Sequence, residues 1–136
     1  TATSITLAAD TISVINYTGA AAATMTLPAA TAGTIVVYCQ SKDTTGGTAT
    51  LVFDAAGSDV WATGSVIESR ASNEVTFDTS AASETKLTFT PANAATNLLT
   101  TGGQIAFICY EDATWHIATK LAAETTQVTG AFVFAA

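Results

Sequence analysis

Apolar residues recur at alternate positions through many short stretches of this chain, with threonine or another polar residue between them. Val75-Thr76-Phe77 and Leu87-Thr88-Phe89 are typical. A period of two is the signature of a strand with one face turned to a core and the other away from it. Segments 4–8, 11–17, 24–27, 34–40, 48–54, 65–69, 74–78, 85–90, 104–110, 114–119 and 126–134 all read this way, being short and rich in β-branched or aromatic residues. Turn signals separate them, among them Thr45-Gly46-Gly47, Ala56-Gly57-Ser58-Asp59, Ser72-Asn73 and Thr101-Gly102-Gly103. Residues 109–115 read as a hairpin with a short acidic loop. Helical signals are confined to 92–99 and 20–23, both too short to stand alone. The expectation is an all-β chain: one antiparallel β-sandwich or jelly-roll-like domain of about 9–11 short strands, opening with an arm or strands over residues 1–20.

Three segments depart from clean alternation. In 34–39, 104–110 and 128–136 both faces are apolar. Such strands are covered on two sides, or they show one face to another subunit. Tyr38, Tyr110, Phe132, Val133 and Phe134 are therefore the candidate interface residues. The apolar tail, 126–136, is either the last strand of the domain's own sheet or a contact with a neighbouring subunit.

Composition narrows the functional classes. Threonine and alanine supply 27 and 28 of the 136 residues, against 4 Lys and Arg and 11 Asp and Glu, which removes most of the side chains from which active sites are built. The net charge of −7, with Lys42, Arg70, Lys86 and Lys120 scattered singly, argues against nucleic acid and against an anionic membrane surface. No apolar run approaches the roughly 20 residues of a membrane helix. So sparsely charged a surface does little to keep copies apart, which points to contact with other protein.

Candidate chemistry is thin. The one histidine, His116, lies between Trp115 and Ile117 and points to the outer face if those two point inward. No nucleophile motif accompanies it. Asp54 and Asp59, and Glu111 and Asp112, read as turn carboxylates, with a surface calcium site as the alternative. Cys39 and Cys109 lie in apolar strands as small hydrophobes, and could pair only if those strands are neighbours. Trp61 and Trp115 read as core residues, or as a sugar platform if exposed. No catalytic residue, cofactor or metal ligand is assigned.

One ordered set of segments carries a resemblance. Thr24-Met25-Thr26-Leu27-Pro28-Ala29-Ala30-Thr31-Ala32-Gly33-Thr34 precedes an apolar strand, followed by Gly47-Thr48-Ala49-Thr50-Leu51-Val52-Phe53, then Ala56-Gly57-Ser58-Asp59-Val60 and a late Glu111-Asp112-Ala113-Thr114-Trp115-His116-Ile117. Over roughly residues 20 to 119 this resembles a β-rich module of tailed-phage structural proteins, although Asp-Ala-Thr stands where that module usually has Asp-Gly-Thr. The resemblance implies a virion protein without catalytic residues. The leading expectation is a capsid decoration protein on the outer capsid surface, with the major capsid protein or another virion protein as partner, and a homo-oligomer, a trimer favoured, at the three-fold positions of the shell. The alternatives are a tail-fibre or receptor-binding module, and a subunit of an extracellular filament or surface layer.

Overall fold

The computed structural model describes residues 3–44, 48–70, 75–90, 99, 101–118 and 132–136. Within them the chain is all-β, in two five-stranded sheets and one hairpin. Sheet A has the order β1 (Thr3–Thr6), β3 (Ala23–Thr26), β5 (Leu51–Asp54), β9 (Lys86–Phe89), β12 (Phe132–Ala135). Sheet B has the order β2 (Thr11–Ile15), β4 (Ile35–Gln40), β10 (Gln104–Glu111), β11 (Thr114–Ile117), β6 (Val60–Trp61). The hairpin pairs β7 (Val66–Arg70) with β8 (Val75–Thr79). Buried Ser80 ties its base, accepting the Ser65 N–H at 3.0 Å and donating to the Ala62 carbonyl at 2.5 Å.

The sandwich expected from the period-2 pattern is present, but its sheets are mixed rather than wholly antiparallel. From β1 to β6 consecutive strands alternate between the sheets. The chain therefore returns to each sheet after a pass through the other, running in the same direction as before. Hence β1, β3 and β5 are mutually parallel, and β2 is parallel to β4. The β10–β11 hairpin then enters sheet B between β4 and β6, antiparallel to β4 and parallel to β6. In sheet A, β9 and β12 add antiparallel pairs. Strand β6, two residues long, is too short to show a period and was not among the expected segments. The helical signal at 20–23 loses to a turn, with Gly19 at φ 79°, that runs into β3. Residues 92–98 and 126–131 lie outside the described residues.

Register explains the core. The inward positions of sheet A line up as Ile5, Met25, Phe53, Leu87 and Phe134, with Ala23, Leu51, Phe89 and Phe132 in the next row. Sheet B answers with Val36, Tyr38, Ile105, Phe107, Cys109 and Trp115, all buried. Rings interlock across the gap: Tyr38 meets Phe53 edge-on at 5.1 Å, and Phe53 meets Phe107 at 5.2 Å. The Trp61 ring lies 5.5 Å from Phe107 and 5.8 Å from Phe134.

Gln40, 1 % exposed, brings a polar side chain into this interior. Its side-chain amide donates to the Tyr17 carbonyl at 2.7 Å and to the Lys42 carbonyl, while its Oε1 accepts the Tyr38 hydroxyl. The Tyr17 hydroxyl in turn donates to the Ala49 carbonyl. Burial pushes the Tyr17 phenol up to about 12, and burial, reinforced by the neighbouring Tyr17, pushes Tyr38 higher still.

The unfolded chain ionises its tyrosines near pH 10, before the folded chain does. Stability should be intact below that value and fall as pH climbs from about 10 towards 12. Equilibrium urea unfolding at stepped pH checks this. Tyr17→Phe should flatten the alkaline slope, and an unchanged slope would contradict the assignment.

Candidate functional site

Three of the segments singled out in the sequence, residues 28–34, 56–60 and 111–115, are far apart along the chain and converge at one end of the sandwich. Residues 28–34 form the connection into β4, and two carboxylates grip it. Asp59 Oδ2 accepts the Ala30 N–H at 2.7 Å, and Asp112 Oδ1 accepts the Ala32 N–H at 2.9 Å. The hairpin turn adds main-chain bonds, from Ala113 N–H to the Ala30 carbonyl at 2.9 Å and from Gly33 N–H to the Cys109 carbonyl at 2.8 Å. The Val60 N–H completes the junction on the Ala113 carbonyl at 3.0 Å. The motif is thus a mechanical joint between both sheets' connections, with its acids used as acceptors for main-chain N–H groups.

Other carboxylates serve alike. Asp10 accepts the Ile35 N–H at 3.1 Å, and Glu84 accepts the Ala81 N–H at 2.6 Å. Asp43 accepts both the N–H and the hydroxyl of Thr101, which holds its carboxyl below the usual range. Among the described residues no three His, Cys, Asp or Glu side chains gather as a metal site.

The remaining candidates fall into place on strands. Trp61 and Trp115 are buried in the core, which removes them as a sugar platform. Trp115 points inward and Ile117 packs against the core, so His116 turns outward, its ring 4.8 Å from Tyr110. Cys39 and Cys109 are free. Their strands are neighbours, yet Cys39 lies opposite Gln104 and on the other face from Cys109. Burial raises the Cys109 thiol, which donates to the Glu111 carbonyl at 2.9 Å.

The expected interface residues divide. Tyr38, Phe132 and Phe134 belong to the core, so they offer nothing to a partner. Strand β12 pairs with β9 in the domain's own sheet, and Phe132 lies 5.0 Å from the Phe89 ring. Tyr110 is 66 % exposed and Val133 47 %, on opposite sheets.

What stands out is the contrast between the two outer faces. Sheet A presents the rows Ser4, Thr24, Val52, Thr88, Val133 and Thr6, Thr26, Asp54, Lys86, Ala135, half of them hydroxyls, with one pair of opposite charges and three apolar side chains. Sheet B presents Ile12 beside Val37, Val14 beside Cys39, and Ile35 beside Ile108, with Tyr110 nearby. Ile12 is 66 % and Val14 64 % exposed. No Asp, Glu, Lys or Arg lies on this face between Thr11 and Tyr110 among the described positions of β2, β4 and β10. An exposed apolar face of this kind is a candidate contact surface. Sequence reasoning flagged the doubly apolar β4 and β10 but missed β2. There the alternation alone would turn Ile12 and Val14 inward, whereas the fold turns Ser13 and Ile15 that way.

The joint makes two predictions. Asp59→Ala should cost about 2 kcal/mol, the loss of a charge-assisted, part-buried bond to the Ala30 N–H, measured by urea unfolding. Ala113 adopts φ 64°, a left-handed conformation in which a side chain is strained. Ala113→Gly should therefore stabilise by about 1 kcal/mol in the same assay. Searches against protein-family models, curated proteins and solved structures find no match to this chain.

Proposed function

We propose that this chain is a non-enzymatic structural protein that docks through the outer face of sheet B onto a larger protein assembly. In the fullest form of this reading it is a capsid decoration protein, seated on the major capsid protein at the outer surface of a phage head. The observation that carries the docking is the asymmetry of the sandwich. The outward residues of β2, β4 and β10 are largely apolar and without fixed charge, while the other face mixes threonine and serine with an Asp54–Lys86 pair and a few small apolar residues. A protein with two such sides has a natural floor and a natural roof. Water solvates the hydroxyl face, and the apolar face gains free energy when another protein covers it, roughly 25 cal/mol per Å². A partner that binds only the assembled lattice stabilises that lattice by mass action. The virion placement is supported by the resemblance carried by residues 24–34, 47–53, 56–60 and 111–117. Three of these four segments contribute to the joint beneath β4.

Immunogold electron microscopy of source particles, with an antibody to this chain, tests the placement. Label spread over the heads is expected; label at tail tips or along headless filaments would overturn it. The docking face is tested on heads stripped of this protein. Ile35→Lys and Tyr110→Lys should each weaken rebinding by about tenfold or more, since burying an unpaired ammonium costs more than about 1.4 kcal/mol. Thr26→Lys, on the opposite face, should rebind like the unaltered chain.

A further inference from the structure

Strand β2 is the edge of sheet B, with β4 as its one neighbour among the described residues. Natural edge strands are guarded by charge, proline or a bulge. Thr11-Ile12-Ser13-Val14-Ile15 has none of these: it is uncharged, contains no proline and pairs with β4 in unbroken register. Its backbone orientation follows from one bond. The Ile15 carbonyl accepts the Ser41 N–H at 2.8 Å, so Ile15 faces β4. In a parallel ladder alternate residues face the same neighbour, so Ser13 and Thr11 do too, while the N–H and C=O of Ile12 and Val14 turn to the open edge.

We propose that β2 is a dimerisation edge, pairing antiparallel with β2 of a second copy about a two-fold axis through Ser13. The register is self-complementary. Ile12 of each chain lies opposite Val14 of the other, with their outward backbone groups exchanging hydrogen bonds and their side chains meeting on the apolar face. Thr11 lies opposite Ile15, and Ser13 opposite Ser13 as a pair without mutual hydrogen bonds.

Charge selects the same arrangement. Copies carrying −7 each must meet where charge is absent, and in this register Asp10 falls opposite Asn16, an exposed amide that can donate to it. A parallel pairing would lose the two-fold closure that makes both halves of the contact alike, and a register shifted by two residues would set Val14 opposite Asp10 or Ile12 opposite Asn16. The axis stands normal to the sheets, so the second copy also brings its β1 alongside β1. Between β1 and β2 lies a recess of about 150 Å³ lined by Ile5, Ile15 and Met25, which a second copy on this flank would cover. This inference does not depend on the virion reading, because it concerns the isolated protein.

Sedimentation velocity of the purified chain at micromolar concentration should give twice the 13.8 kDa chain mass. Val14→Pro removes an N–H that β4 does not use, and should yield a monomer with unchanged circular dichroism. Ser13→Cys in a Cys39→Ser background should cross-link to a covalent dimer on mild oxidation, since such opposed pairs bring Cα atoms to about 4.5 Å. Thr11→Cys in that background should not. The cross-link reports on the register even if Val14→Pro perturbs folding. A chain that stays monomeric throughout overturns the proposal. So does an oligomer that Val14→Pro leaves intact and Ser13→Cys fails to trap.

Discussion

The whole arrangement hangs on a seam of aromatic rings that crosses the gap between the sheets. Tyr38 on β4 meets Phe53 on β5, Phe53 meets Phe107 on β10, Phe107 meets Trp61 on β6, and Trp61 meets Phe134 on β12. Each ring comes from a different strand, and successive contacts tie together segments from residue 38 to residue 134. With so little charge available for ion pairs, dispersion and apolar burial along this seam are what hold the two layers in register. Main-chain partners for the connecting loops come from the few carboxylates present, as at Asp59 and Asp112.

A core so strongly committed to one interior leaves the outside to composition. Threonine suits sheet A because its branched carbon favours the extended backbone while its hydroxyl meets water. Sheet B was given valine and isoleucine instead, at positions where the core did not need them. Apolar side chains on both faces of β4 and β10 are redundant for a monomer's stability. They become useful once another surface lies against them, and the functional reading rests on that redundancy.

Much of this was legible in the chain. Period-2 alternation located most of the strands, and the inward residues of β3, β5, β9 and β10 follow it directly. Two things were not legible, for physical reasons. Alternation says which side chains share a face but not which way neighbouring strands run, so the parallel pairs of β1, β3 and β5 were hidden. In Phe132 and Phe134, an apolar tail that could have served a partner instead covers the domain's own seam. Sequence cannot distinguish these uses, because both need large apolar side chains at alternate positions. The joint at residues 28–34 was visible as a motif, while its purpose required the three-dimensional convergence of Asp59 and Asp112.

The late entry of the β10–β11 hairpin between β4 and β6 has a consequence for the order of assembly. Until residue 117 has been made, β6 has no strand of sheet B beside it, and the inward face of Trp61 has no Phe107 to rest on. The open sides of β4 and β6 therefore wait for strands encoded some fifty to seventy residues later. Pairings so remote in sequence are slow to form. A nascent or unfolding chain would pass through states in which both β4 and β6 are open edges. In such a protein the speed of closing sheet B, more than the final stability of the sandwich, governs how much reaches the folded state.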